Sequence, residues 1–244
     1  MRRPHPAGST NVSVWYRFTA TTDVRLVLDT RGSGFDTVLS AWTGQAHPLT
    51  EVACSDDAGT TPEGETDLSS EVRLTVPAGV SVHVRIDGYF DTPTTAWDLV
   101  LNATAGAGGA ANDDLASATP ISVLPFVDRI DLQAAGIEVG EASASCAGRL
   151  PRGAWFRYVS PADTRVRFDV AGTAFNVALS VWVGDRHPLQ ELSCAVLEPG
   201  PDVTGSLALH LAAGVPYLIK IEGWLLDLEG PTAEVTVHAS RVTA

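Results

Sequence analysis

Apolar residues in this chain alternate with polar ones over short stretches, and helical spacing is absent. Val14-Trp15-Tyr16-Arg17-Phe18, Val24-Arg25-Leu26-Val27-Leu28-Asp29 and Glu71-Val72-Arg73-Leu74-Thr75-Val76 follow the two-residue period of half-buried strands. Further strands are predicted over 36–42, 49–54, 80–86 and 97–101. Gly-rich or Pro-rich turns at 30–34, 44–48 and 77–79 and a polar loop over 55–66 separate them. Strands of this length with turn signals between them predict an antiparallel β-sandwich.

The pattern then repeats. Phe35-Asp36-Thr37-Val38-Leu39-Ser40-Ala41-Trp42, His47-Pro48-Leu49 and Cys54 return 140 residues later as Phe175-Asn176-Val177-Ala178-Leu179-Ser180-Val181-Trp182, His187-Pro188-Leu189 and Cys194. Trp15/Trp155, Arg17/Arg157 and Gly44/Gly184 keep the same offset, which shortens to 135 beyond Cys194. The chain is therefore a duplication, and the fold expected is all-β: two tandem antiparallel, jelly-roll-like β-sandwich domains at 1–104 and 112–244, joined by a Gly/Ala linker at 105–111. The second domain adds strands near Phe126-Val127-Asp128 and over 136–143. About 35 residues, from Asn112 to Cys146, have no counterpart before Trp15. If 136–143 is a sandwich strand, the first domain lacks its equivalent. A strand from another chain, a rearranged segment of this one, or residues preceding Met1 would then fill the vacancy.

Charge narrows the partners. With 29 acidic and 16 basic residues the formal net charge is −13, which argues against a nucleic-acid ligand. Lys220 is the only lysine. No apolar run approaches the roughly 20 residues of a membrane span, and none opens the chain as a signal peptide does. Three cysteines leave at least one unpaired within the chain; either Cys146 and Cys194 form a bridge and Cys54 does not, or all three are buried reduced thiols.

Val14-Trp15-Tyr16-Arg17-Phe18, Phe35-Asp36-Thr37-Val38-Leu39, Cys54-Ser55-Asp56-Asp57, Ile86-Asp87-Gly88-Tyr89 and Asn112-Asp113-Asp114-Leu115-Ala116-Ser117-Ala118, in that order, resemble the bacterial pre-peptidase C-terminal (PPC-like) domains. The resemblance covers nearly the whole chain as two copies, the second more divergent. It implies a jelly-roll-like sandwich acting as a secreted, non-catalytic appendage, some members binding collagen or other polymers and some binding calcium. The chain departs from that pattern in having no attached peptidase.

Asp36, Asp56, Asp57 and Asp87 fall at strand ends in the first domain, where converging carboxylates suit Ca²⁺; the competing role for each is capping a turn. Their second-domain equivalents (Asn176, a position near Val196, and Glu222) do not keep the cluster. Asn112, Asp113 and Asp114 form a second calcium candidate through the resemblance, with a polar linker end as the alternative. His47 and His187 stand in turns without a second ligand at zinc spacing. No nucleophile elbow is present, and adjacent Asp56 and Asp57 cannot face each other across a substrate, so the protein is expected not to be an enzyme. Trp15, Trp42, Trp155 and Trp182 recur in register and are expected to pack inside. Tyr89, Trp97 and Trp224 are the candidate aromatic ligand surface.

The expectation is an extracellular or cell-surface binding or assembly module, with a protein or polysaccharide polymer, or its own copies, as partner. A structural subunit of a filament, coat or decoration layer, and an accessory region of a secreted hydrolase, are the alternatives.

Overall fold

The computed structural model describes residues 12–61, 65–89, 98–106, 110–147, 151–171, 175–197, 205–224 and 233–242. These are all-β, with one 3₁₀ turn (Leu115–Ser117) and no α-helix, hence no helix long and apolar enough to cross a membrane. The chain divides into two compact units, Met1–Gly108 and Gly109–Ala244.

In the first unit, β1 (Ser13–Thr19), β8 (Ser81–Gly88), β3 (Thr37–Thr43) and β4 (Thr50–Ser55) form one sheet in that order. Facing it are β7 (Glu71–Val76), β2 (Val24–Asp29) and β9 (Asn102–Ala105), while β5 (Gly59–Thr60) and β6 (Thr66–Asp67) make a small hairpin. Alternation decides which side chains meet. Leu26, Leu28, Val72, Leu74 and Val76 from one sheet are buried with Leu39, Val82, Val84 and Ile86 from the other. The closing strand comes later than expected: residues 98–100 are not in a strand, and β9 starts at Asn102, taking in Ala105 at the start of the expected linker.

The second unit repeats this plan. β13 (Pro151–Val159), β18 (Pro216–Trp224), β15 (Val177–Val183) and β16 (Gln190–Leu197) correspond to β1, β8, β3 and β4; β17 (Gly205–Leu211), β14 (Thr164–Ala171) and β19 (Glu234–Arg241) correspond to β7, β2 and β9. In both units the chain crosses between sheets at every connection among these strands except one hairpin, β3–β4 or β15–β16. Each hairpin carries a bulge before its tryptophan, between Ala41 and Trp42 and between Val181 and Trp182. There the indole Nε1 of Trp42 donates to Ser40 Oγ, and that of Trp182 to Ser180 Oγ, both at 2.8 Å. Gly44 and Gly184 then turn the chain at φ +123° and +134°, against Leu49 and Leu189.

What distinguishes the second unit is its lead-in. β10 (Thr119–Ile121) lies parallel to β13 and extends its sheet, and β11 (Phe126–Asp131) pairs with β19 at the edge of the other. The expected strand over 136–143 is not formed; only β12 (Ile137–Glu138) is extended there, and Glu141 N–H closes a turn onto the Glu138 carbonyl. The added sandwich strands are therefore β10 and β11, for which the first unit has no counterpart among the described residues.

Cys146 and Cys194 form a disulfide (Cα–Cα 6.0 Å) that fastens the end of the lead-in to β16, while Cys54 is buried outside it. Thiol titration of the denatured, non-reduced protein is expected to find one thiol per chain, that of Cys54. Three thiols in material matured in an oxidising compartment would contradict the bridge.

Candidate functional site

The outer face of β13 and β18 in the second unit holds a buried charge cluster. Residues facing away from the core there include Trp155, opposite Lys220 in the strand register. Lys220 is 1% exposed, and its Nζ donates to Glu141 Oε2, Glu222 Oε1 and the Ala142 carbonyl, each at 2.9 Å. Those three bonds use all three ammonium donors. The ammonium lies 4.9 Å from the centroid of the Trp155 ring, whose Nε1 donates to Glu141 Oε2 at 3.3 Å. Glu222 also accepts from Ser143 Oγ and the Ala144 amide. Gly153 is required by this packing, since a Cβ there would meet Lys220 Cε at 2.9 Å and Glu222 Cγ at 3.1 Å.

The lead-in makes this burial possible. Asn112 brackets Trp155, donating from Nδ2 to its carbonyl and accepting its N–H. Leu115, Ala118, Ala142, Ala144 and Ala147 cover Trp155, Trp182 and Leu218. Ser145 donates twice to Glu191, one residue before the disulfide. Burial pushes the Glu141 carboxyl up to about 7; Lys220 opposes the rise and Glu222 adds to it. Burial alone would lower Lys220, but its two carboxylates more than offset that and hold the ammonium above its ordinary value. His187, edge-on to Trp155 at 6.1 Å, is lowered by burial against the pull of Glu138, with Lys220 adding to the fall.

The first unit holds the same arrangement half-built. Arg85 stands at the Lys220 position, 5.7 Å from the centroid of the Trp15 ring, and donates to Asp87, the counterpart of Glu222, at 2.8 Å. Trp15 also keeps its neighbours Trp42 and His47 at 6.4 and 6.5 Å. No lead-in covers it among the described residues. Trp15 is 42% exposed where Trp155 is 0%, Tyr16 is 44% exposed where Phe156 is 0%, and Val14 is exposed beside them. The expectation that all four repeated tryptophans pack inside is thus corrected: it holds for Trp155 and Trp182, whereas Trp15 is exposed and Trp42 half-buried.

Of the expected calcium ligands, Asp36, Asp56 and Asp57 come together, each offering an oxygen within 4.8 Å of the others. Asp36 precedes β3 and Asp56 and Asp57 follow β4, so the antiparallel pairing brings both ends to one edge. A buried hydroxyl knot lies beside them. Thr30 Oγ1 and Thr37 Oγ1 are 2.6 Å apart, and the Ser70 hydroxyl lies 2.6 and 2.9 Å from the carbonyls of Thr37 and Asp56, which share its one proton. Asp87 is not in this group; Arg85 engages it instead. Asn112 and Asp113 bond backbone groups, Asp113 Oδ2 accepting from the Gly136 amide at 3.0 Å, and Asp114 stands at the N-terminal end of the 3₁₀ turn, where its carbonyl, not its carboxylate, accepts from Ser117. No acidic group from this segment joins a carboxylate cluster among the described residues. Trp97 lies outside the described residues, Trp224 is described only as the last residue of β18, and Tyr89 is half-buried with its amide donating to the Asp36 carbonyl.

No family model matches the chain, and no curated protein does. Solved structures show a loose likeness. A periplasmic inhibitor of g-type lysozyme from Aeromonas hydrophila aligns over 51% of this chain and 96% of its own, at 14% identity and TM-score 0.32. An uncharacterised protein from Burkholderia cenocepacia aligns over 93% and 76%, at 12% identity and TM-score 0.30. A protein described as secreted, from Parabacteroides distasonis, aligns over 100% and 86%, at 10% identity and TM-score 0.24. At these values none transfers a partner, substrate or location to this chain.

The sign of the Glu141 shift sets a pH dependence. Between about pH 4.5 and 7 the folded protein holds a proton that the unfolded chain has released. Stability from this group is full below that window, drains as pH rises through it and levels off above. Glu141→Gln is expected to remove that slope in denaturant melts, and an unchanged slope would count against the assignment. Lys220→Met, which strands two buried carboxylates, is expected to cost about 3–5 kcal/mol.

Proposed function

We propose that the protein is a non-enzymatic binding module of an extracellular or surface compartment, and that it contacts protein partners through the open edge of β1 in its first unit. The observation that carries this reading is the contrast between Val14, Trp15 and Tyr16, exposed in sequence on one strand, and Ala154, Trp155 and Phe156, sealed in its repeat. Contiguous exposed aromatic and apolar residues on a sheet edge are what protein interfaces use, Trp and Tyr above all. The disulfide suits an oxidising compartment, and the resemblance to PPC-like domains points to the same class of non-catalytic module.

Calcium forms part of the proposal. Asp36, Asp56 and Asp57 offer oxygen ligands at one edge of the first unit, and a hard divalent ion among them would relieve their mutual repulsion. The ion's role there is structural, holding the ends of β3 and β4 together.

Because Trp15 and Tyr16 are partly exposed, replacing both by Ala is expected to cost about 1–3 kcal/mol and leave the chain folded, while abolishing retention of secreted proteins by the immobilised full chain. Retention of the same proteins by the double variant would overturn the reading. Trp155→Ala serves as the contrast, with an expected cost of about 3–5 kcal/mol. For the metal, a calcium concentration about 100-fold above Kd should add about 2.7 kcal/mol of stability over EDTA. Identical melting curves in calcium and EDTA, or a shift that survives Asp56→Ala with Asp57→Ala, would remove calcium from the proposal.

A further inference from the structure

The second unit shows what a completed β1-type edge needs. Its lead-in contributes a parallel strand, with Thr119, Pro120 and Ile121 alongside Phe156, Arg157 and Tyr158. It adds apolar side chains that close the core, among them Ile121, Ile130 and Phe126, the last 6.0 Å from Phe156. It also delivers a carboxylate, Glu141, to the cation over the tryptophan.

The first unit holds the receiving half of each contribution. Beyond its pairing with β8, β1 has no strand on its other side among the described residues. Val14 and Tyr16 occupy the core-facing register, opposite Ile86 and Val84, yet both are exposed. Arg85 meets the Asp87 carboxylate where Lys220 meets two carboxylates, and its Nε is buried without a hydrogen-bond partner. The Arg85 side chain as a whole is 21% exposed, which leaves an incoming carboxylate a route to the guanidinium. Arg17 shares the outer face with Arg85 and Asp87, two cations against one carboxylate beside β1, in a chain that as a whole is acidic.

We propose that this edge binds an extended segment of a partner protein, which lies parallel to β1, fills the gap beside Val14 and Tyr16, and places an Asp or Glu against Arg85. The proposal rests on the reading of β1 as a protein-binding face and specifies what that face takes. Backbone pairing supplies affinity, and the carboxylate and small apolar residues supply selection. The partner segment has the chemistry of the second unit's own lead-in: rich in Ala and Ser, with one acidic residue aimed inward.

The test titrates the full chain with a labelled synthetic peptide of residues 112–146 carrying Ser in place of Cys146, followed by fluorescence anisotropy. The Cys146–Cys194 bridge keeps the protein's own lead-in fastened, so the edge left unpaired among the described residues is that of β1 in the first unit. Saturable one-to-one binding is expected, weakened at least about tenfold, or 1.4 kcal/mol, by Glu141→Gln in the peptide and equally by Arg85→Met in the chain, with Arg85→Lys retaining it. Absence of binding at about millimolar peptide, an affinity indifferent to both substitutions, or burial of Trp15 through concentration-dependent dimerisation of the chain alone would each overturn the proposal. If Trp15→Ala with Tyr16→Ala abolishes protein retention while Arg85→Met changes nothing, the face still binds protein but not through an acidic segment. Loss of neither leaves both readings refuted.

Discussion

A buried ammonium has to be met by acceptors or it destabilises the fold, and Lys220 imposes that constraint on the second unit. Removing such a group from water costs several kcal/mol, which close carboxylates recover only with good geometry and full hydrogen bonding. Lys220 has both, in Glu141, Glu222 and the Ala142 carbonyl. Two of those three acceptors belong to the lead-in, so the segment from Asn112 to Cys146 is a structural component of the domain. The bridge to Cys194, the Ser145–Glu191 bonds and the Asn112 bracket around Trp155 all hold that segment over the same face.

The two units differ where that segment lies. Their cores follow one alternation, their hairpins share a bulge, and their repeated tryptophans meet the same serines and histidines. Replacing Lys220 by Arg85 is consistent with the difference in cover. A guanidinium keeps its charge more readily at a partly open site, spreads it over a planar fork and stacks well on an indole. Among the described residues, duplication has thus yielded one covered copy and one uncovered copy of the same chemistry.

The repeat and the all-β class were legible because both are local or periodic: alternation marks the strands, and a constant offset marks the copies. Cysteine register pointed to Cys146 with Cys194 as one of two alternatives, and the structure contains that pair. The fate of Trp15 was not legible, since its identity and register match Trp155 and only the cover differs. The lysine cluster carried a signal that went unused: a solitary lysine between Ile219 and Ile221 in an apolar strand. Its partner Glu141 comes from a segment misread as a strand, where turn geometry around Glu138 decided the outcome. Asp36, Asp56 and Asp57 could be gathered from strand ends, but the diversion of Asp87 to Arg85 depended on a cross-strand neighbourhood that spacing does not reveal.

Lys220 is the sole side-chain amine in the protein and it is sealed. Amine-directed acylating reagents, lysine-directed cross-linkers and enzymes that modify lysines therefore find no side-chain amine on the folded surface. Trypsin is left with arginines alone until the second unit opens. Acylation of this one residue accordingly reports the opening of its own domain, a built-in chemical clock for local unfolding that needs no engineered label.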